Sequence, residues 1–307
     1  MEDNMEFKKG HSVKLEEVEK IIRDYLPREE GHQRIVIEAM NYSVLAGGKR
    51  VRPMLMRETY NYFMNSSSRG DFKGNDKALE HFMSALEYIH TYSLVHDDLP
   101  AMDNDLLRRG MPTTHAKYGH AIGVLAGDGL LNYAYEVASN AFASDNYEMI
   151  IKALQVLSRK PGISGMLGGQ VVDVVNSGNK VDIELLQYIH RLKTSALIQI
   201  AMMIGAILAG ANDEEVNKIE ECALYIGLAF QIQDDVLDVV STDEELGKPV
   251  NSDEKNNKTT YVSIYGIDKA KELVNDYSRK AIDMLESIDG HNEFLVEYIE
   301  SLINRRK

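Results

Sequence analysis

Apolar residues recur at helical spacing almost from end to end of this chain, and that leaves few architectures open to it. VEKIIRDYL (18–26) places them at 18, 21, 22, 25 and 26, and LEHFMSALEYIHTYSLV (79–95) sets 79, 82, 83, 86, 89 and 94 on one broad stripe. The stagger returns in GLLNYAYEVASNAF, IIKALQVL, IELLQYI, VNKIEECALYIGLAFQIQDDVLDVV and FLVEYIESLI. No stretch alternates with period two between turn pairs. With 22 Gly and only 6 Pro, turn residues are too sparse for an all-β chain. The expected fold is therefore all-α, a bundle of about ten or more helices. Its 307 residues, 44% of them hydrophobic, can bury a sizeable core. No repeat of 20–50 residues and no break in the run of apolar helices divides it, so a single domain over 1–307 is expected.

Breaks fall where polar residues, Gly and Pro collect: NSSSRGDFKGND (65–76), SRKPGISG (158–165) with Pro161, and the polar segment STDEELGKPVNSDEKNNKTT (241–260). A loop as long as the last is a candidate lid. The net charge of −14 disfavours nucleic acid and anionic membranes as partners. Cys222 is the only cysteine, which excludes internal disulfides and Cys-rich metal sites. The longest apolar run, ALIQIAMMIGAILAG (196–210), is too short to span a bilayer and contains Gln199, so a buried helix is expected there rather than membrane insertion. MEDNMEFKKGHS has no apolar stretch, and a cytoplasmic protein is expected.

Against this background two aspartate runs stand out. In GLAFQIQDDVLDVV (227–240), Asp234, Asp235 and Asp238 lie within an apolar helical segment, with Asp234 and Asp238 one turn apart on one face. Carboxylates stacked on an apolar helix repel one another and are costly to desolvate, and a cation between them reverses the sign of that energy. With no His or Cys beside them, oxygen ligands point to a hard ion such as Mg²⁺. Asp97 and Asp98 end the 79–98 segment, Pro100 disturbs it, and Asp103 and Asp105 follow. Alone, this first run reads equally as a solvated helix end; two such runs at apolar helices favour a shared chemistry.

Mg²⁺ held by a few carboxylates keeps positions open for substrate phosphate. Candidate phosphate ligands are Arg108 and Arg109 directly after the first run, Lys49, Arg50 and Arg52 in GGKRVRP (47–53), Lys193 and Thr194 at the expected start of a 193–210 helix, and Lys248 and Lys258 in the polar segment. Taken singly, each also reads as an ordinary surface residue.

Together DDLPAMD, DDVLD about 137 positions later, GGKR before both and KT between them resemble the trans-isoprenyl diphosphate synthases (polyprenyl synthetases), most nearly the bacterial-type farnesyl diphosphate synthases. That resemblance implies an isoprenoid synthase fold around a central cavity, normally a homodimer. It implies metal ligation by Asp97, Asp98 and Asp103 and by Asp234 and Asp238, with Asp235 a catalytic member of the second motif that need not touch metal, and with three Mg²⁺ (Mn²⁺ a possible substitute) bridging to an allylic diphosphate. It places Arg108, Lys193, Thr194, Gln231, Lys248 and Lys258 on that diphosphate, and Lys49, Arg52, His90 and Arg109 on isopentenyl diphosphate. Gln170 and Asp173, in GGQVVD, are implied in the cavity lining. Without the resemblance His90 also reads as a core histidine, and Tyr88 and Tyr92 as plain core. Asn104 and Leu106 stand where the family run is richer in Asp.

The implied reaction is head-to-tail condensation of isopentenyl diphosphate with dimethylallyl and geranyl diphosphate. The departing pyrophosphate is the implied base, and the Lys193 carbonyl, Thr194 and Gln231 are implied to steady the allylic cation. Tyr92, five residues before Asp97, and Tyr88 one turn further on are expected to limit the tail, giving farnesyl diphosphate. The alternatives are a geranylgeranyl diphosphate synthase, which shares every catalytic motif, and a non-catalytic partner subunit. A terpene cyclase fits poorly, because DDVLD is intact.

Overall fold

The computed structural model describes residues 2–70, 72–143, 146–240, 259–303 and 305. Among them are fourteen α-helices: α1 (Glu2–Asp24), α2 (Arg34–Leu45), α3 (Val51–Met64), α4 (Asp76–Asp97), α5 (Thr114–Tyr118), α6 (His120–Ser139), α7 (Tyr147–Arg159), α8 (Met166–Val175), α9 (Ile183–Lys193), α10 (Ser195–Leu208), α11 (Asp213–Val240), α12 (Tyr261–Tyr265), α13 (Ile267–Glu286) and α14 (Glu293–Ile303). The only strands described are β1 (Leu107–Arg108) and β2 (Met111–Pro112), an antiparallel pair closed by Arg109 and Gly110, both at positive φ. The all-α expectation holds. This two-residue ladder is too short for a periodic pattern to announce it.

Contacts group the chain into two compact units: residues 1–57 with 75–154, and residues 58–74 with 155–307. In the first, α4 starts where the Asn75 side chain accepts the Ala78 N–H, a standard N-cap. Its apolar stripe, Leu79, Phe82, Met83, Leu86 and Ile89, is buried, and α6 supplies Ala126, Leu130 and Ala134 to the same core. α2 is tied to the segment beyond the hairpin by Tyr42 Oη, which donates to the Pro112 carbonyl (2.8 Å), and by a Ser43–Thr114 hydroxyl contact (2.7 Å).

In the second unit every residue of α10 is buried. A helix apolar all round belongs in a core. No single described helix is long and apolar enough to cross a membrane; α9 and α10 would pass only as a pair, and they are bent by 41° at Thr194. α11 packs closely on α10 because position 227 is glycine: a Cβ there would lie 2.3 Å from Ser195 Oγ. Pro161 follows the end of α7 at Arg159, as expected from its missing N–H.

Candidate active site

The first unit holds the first aspartate run. α4 ends at Asp97, and Asp98 caps it with helical backbone angles, its N–H bonded to the Leu94 carbonyl (3.0 Å). The chain then doubles back. The Asp103 N–H donates to the Asp97 carbonyl (2.9 Å) and the Asn104 N–H to that of Leu99 (3.1 Å), with Asn104 in the left-handed region (φ 55°). Asp97 and Asp103 are thus brought together by backbone hydrogen bonding across Pro100. Asp97 is half-buried and Asp103 exposed.

Asp98 is different. It is buried, and Arg108 grips both its oxygens: Nε donates to each at 2.9 Å and Nη2 to Oδ1 at 2.6 Å. Burial pushes the Asp98 carboxyl up, and the Arg108 hydrogen bonds and charge offset that only in part. Burial works against the Arg108 cation too, but the pairing with Asp98 more than compensates and raises it. Of the three aspartates expected on metal in this run, Asp98 is engaged by a guanidinium. Arg108, expected on diphosphate, is the group engaging it.

Among the described residues no three His, Cys, Asp or Glu side chains gather as a ready-made metal cage. Mg²⁺ rarely needs one: it is commonly held by one or two carboxylates, with water and substrate phosphate completing the shell. The hard oxygens of Asp97 and Asp103, on neighbouring backbone, fit that description.

Lys49, Arg50, Arg52, His90 and Arg109, with Glu87, line a cavity of about 380 Å³ in the same unit. GGKR is shaped for it. Gly47 and Gly48 have φ of 81° and 147°, and Arg50 itself is left-handed (φ 46°). A Cβ on Gly48 would lie 2.7 Å from Arg109 Nη1, so this glycine makes room for the guanidinium. Arg109 is also left-handed (φ 54°), at the tip of the β1–β2 turn. Burial, then the charges of Arg52 and Arg109, hold His90 well below its usual pKa, so it is neutral at pH 7. The four expected contacts of the homoallylic diphosphate, Lys49, Arg52, His90 and Arg109, are thus found in one basic cavity.

Tyr92 is nearly buried (8% exposed), with its ring edge-on to His96 at 5.9 Å. Burial pushes its hydroxyl up to about 12. Tyr88 is fully buried beside Tyr133, and its hydroxyl donates to the Ile22 carbonyl of α1 (3.0 Å).

The second unit holds the second run, on the last turns of α11. Asp235 and Asp238 are buried. Asp235 accepts the Tyr261 N–H (3.0 Å) and the Gln231 amide (3.3 Å), and Gln231 in turn accepts from Thr194 Oγ1 (2.8 Å). Thr194 and Gln231 were expected together, and they are. Asp234 is about half exposed and pairs with Arg305, whose guanidinium lies 3.7 Å over the Phe230 ring. Lys193 Nζ pairs with Asp173 (2.6 Å), so two motifs meet there. The single helix expected over 193–210 is corrected: Lys193 is the last residue of α9, and Thr194 is the bend before α10. The break lets the Thr194 hydroxyl face Gln231. Gln170 is half-buried on α8, and a Cβ on Gly169 beside it would come within 2.5 Å of the Lys193 nitrogen. Lys248 and Lys258, and the 241–258 part of the expected lid, lie outside the described residues. Thr259 and Thr260 are described. Thr260 forms a capping box with Ser263 that starts α12 and presents the Tyr261 N–H to Asp235.

The family model for polyprenyl synthetases matches residues 33–296. The chain belongs to this family. It is 42% identical over 290 residues to a chloroplastic geranylgeranyl pyrophosphate synthase of Capsicum annuum, covering 94% of this chain and 76% of that one. It is 38% identical over 291 residues to a farnesyl diphosphate synthase of Geobacillus stearothermophilus, covering 94% of each. The crystal structure of a Helicobacter pylori geranyltransferase complexed with magnesium and isoprenyl diphosphate superposes with a TM-score of 0.81 at 31% identity, over 96% of both chains. The polyprenyl synthetase is accordingly all-α with the isoprenoid synthase fold, and it is a prenyltransferase of the trans-prenyl diphosphate synthase class. Its relatives' names divide between farnesyl and geranylgeranyl products.

Two participants, Glu87 and Arg305, were not singled out from the sequence. Glu87 lies inside the apolar stripe of α4, one turn before His90, and a charge at such a position was a usable signal. Arg50, expected as a phosphate ligand in GGKRVRP, is instead tied to Glu87, Glu19 and the Val44 carbonyl, partners the sequence did not announce. Arg305 gave no signal: NRRK reads as a solvated tail.

Proposed function

We propose that this polyprenyl synthetase condenses isopentenyl diphosphate with dimethylallyl diphosphate, and then with geranyl diphosphate, to make farnesyl diphosphate. The observation that carries the C15 product is Tyr92: a nearly buried aromatic on α4, just over one turn before Asp97. Each added methylene gains roughly 0.8 kcal/mol from burial, so a tail grows until a side chain blocks it. Tyr92 is proposed as that block, with Tyr88 one turn behind it. Residues 1–307 are proposed to act as one catalytic domain, and as a homodimer in the cytoplasm.

In the proposed reaction the allylic C1–O bond breaks and diphosphate leaves with the electron pair. The isopentenyl double bond attacks the resulting allylic cation, forming a carbon–carbon bond, and a proton passes to the departing pyrophosphate. Asp97 and Asp103, and Asp234 and Asp238, would hold Mg²⁺, which when bound neutralises charge on the leaving group. Asp98 pairs with Arg108 and Asp173 with Lys193, and the two cations so held are proposed to meet that anion. The Gln231 oxygen is fixed by Thr194, and its amide by Asp235, which gives the cation an oriented dipole rather than mobile water. Lys49, Arg52 and Arg109 would bind the isopentenyl diphosphate, with His90 as a neutral hydrogen-bonding partner.

A second reading, a C20 geranylgeranyl diphosphate synthase, is favoured by the pepper relative's name. One assay separates them. The protein is incubated with Mg²⁺, dimethylallyl diphosphate and labelled isopentenyl diphosphate, and the dephosphorylated alcohols are sized. C15 supports the proposal; C20 keeps the chemistry and moves the block away from Tyr92. No product, with EDTA making no difference, rejects both and leaves the partner-subunit alternative.

A further inference from the structure

A carboxylate sits in the wall of the basic cavity. Glu87, 3% exposed, lines it together with Lys49, Arg50, Arg52, His90 and Arg109. A buried anion facing a cavity suited to another anion should weaken binding there by direct repulsion. Arg50 removes that conflict. Its Nη1 donates to Glu87 Oε1 at 2.6 Å, its Nε to Glu19 Oε1 at 2.8 Å, and its Nη2 to the Val44 carbonyl at 2.7 Å. It is as buried as Glu87 (3%) and adopts a left-handed backbone that a non-glycine residue enters only under constraint. Although Arg50 borders the cavity, each of its three guanidinium nitrogens donates to a protein partner, two carboxylates and a carbonyl in all. It brings charge to the cavity wall while its nitrogens are bound to the protein.

We propose that Arg50 is a positioning residue for the homoallylic diphosphate: it cancels Glu87 inside the cavity, so that the anion meets Lys49, Arg52 and Arg109 without a buried carboxylate opposing them. This rests on the reading of the cavity as the isopentenyl diphosphate site.

The test uses the full chain and three variants: Arg50→Met, Glu87→Gln and the double variant. Two quantities are read: KM for each diphosphate substrate, and equilibrium binding of inorganic pyrophosphate without Mg²⁺ by calorimetry. Arg50→Met is expected to raise KM for isopentenyl diphosphate and the pyrophosphate Kd by about tenfold or more, while KM for dimethylallyl diphosphate and kcat change far less. Adding Glu87→Gln should recover most of that loss, because the uncompensated charge is gone. If Arg50 merely braces the 47–50 turn, the double variant stays as weak as Arg50→Met, and the proposal is overturned. Should Arg50→Met not fold, Glu87→Gln alone still decides: it keeps the bonds to Glu19 and Val44 and should bind pyrophosphate at least as tightly as the parent, whereas weaker binding overturns the proposal. If the parent protein makes no prenyl product, the proposed reaction fails, yet the pyrophosphate titrations still judge Arg50 and Glu87.

Discussion

At the scale of single residues, several aspartates of the two motifs have protein partners. Asp98 has Arg108, Asp234 has Arg305, and Asp235 has Tyr261 and Gln231. The Asp234 pair is the most consequential, because Asp234 is about half exposed and its partner comes from near the end of the chain. A cation approaching Asp234 must displace that guanidinium. Arg305 is largely covered, but solvent reaches the half-exposed Asp234 and screens the pair, which is worth about 1 kcal/mol. Arg305→Leu should therefore lower the Mg²⁺ concentration for half-maximal turnover by up to about fivefold. A Mg²⁺ titration of initial rate at saturating substrates measures it, and an unchanged midpoint would mean that Arg305 does not compete for Asp234. The aspartates and basic residues themselves were legible in the sequence, since charges on apolar helices demand a reason. Their pairing was not, because ion pairs such as Arg305–Asp234, 71 positions apart, depend on folded proximity and leave no periodic trace.

At the scale of elements, the helices were legible because amphipathic spacing is set by the core they cover. The bend at Thr194 was not: KTSALIQI reads as uninterrupted helix, and the break accompanies a tertiary contact to Gln231 that no local pattern announces. The GGQ glycines show how close packing places a site residue. α8 lies so near the end of α9 that a Cβ on Gly169 would collide with backbone, at 2.5 Å from the Lys193 nitrogen, where no rotamer change can relieve it. Gly169→Ala should cost about 1–3 kcal/mol through overpacking and displace Lys193 from Asp173. Urea unfolding would show the lowered midpoint, and a fall in kcat should accompany it; an unchanged midpoint would mean that the two helices can separate freely. On α4, Tyr92→Ala should lengthen the product beyond C15, read as the chain length of the released alcohols. If the variant still stops at C15 at the parental rate, the block lies elsewhere.

At the scale of the whole molecule, a net charge of −14 makes the basic cavity of the first unit a local reversal of sign, suited to drawing in an anionic substrate. Each unit also holds a histidine that desolvation keeps neutral: half-buried His90 in the first and buried His190 in the second. His190 is held down to about 4 by burial, which outweighs the upward pull of Asp173, with a smaller downward push from Lys193. Its Nδ1 is buried without a hydrogen-bond partner, and its ring lies 5.6 Å from that of Tyr261. In the unfolded chain this imidazole takes up a proton near pH 6.5, while the folded chain refuses it until about 4. Stability contributed by the neutral ring is thus complete above 6.5, drains away as the pH falls through that window, and stops falling below about 4. The loss amounts to roughly 3 kcal/mol. Asp98 acts in the opposite sense, since its raised pKa makes protonation favour the folded chain as acid is added. Comparing the parent with His190→Phe, which keeps a ring against Tyr261, isolates the histidine. Urea unfolding at pH 7, 5.5 and 4.5 should show the variant losing markedly less stability between the first and last of these, and equal losses would place the acid sensitivity in other groups.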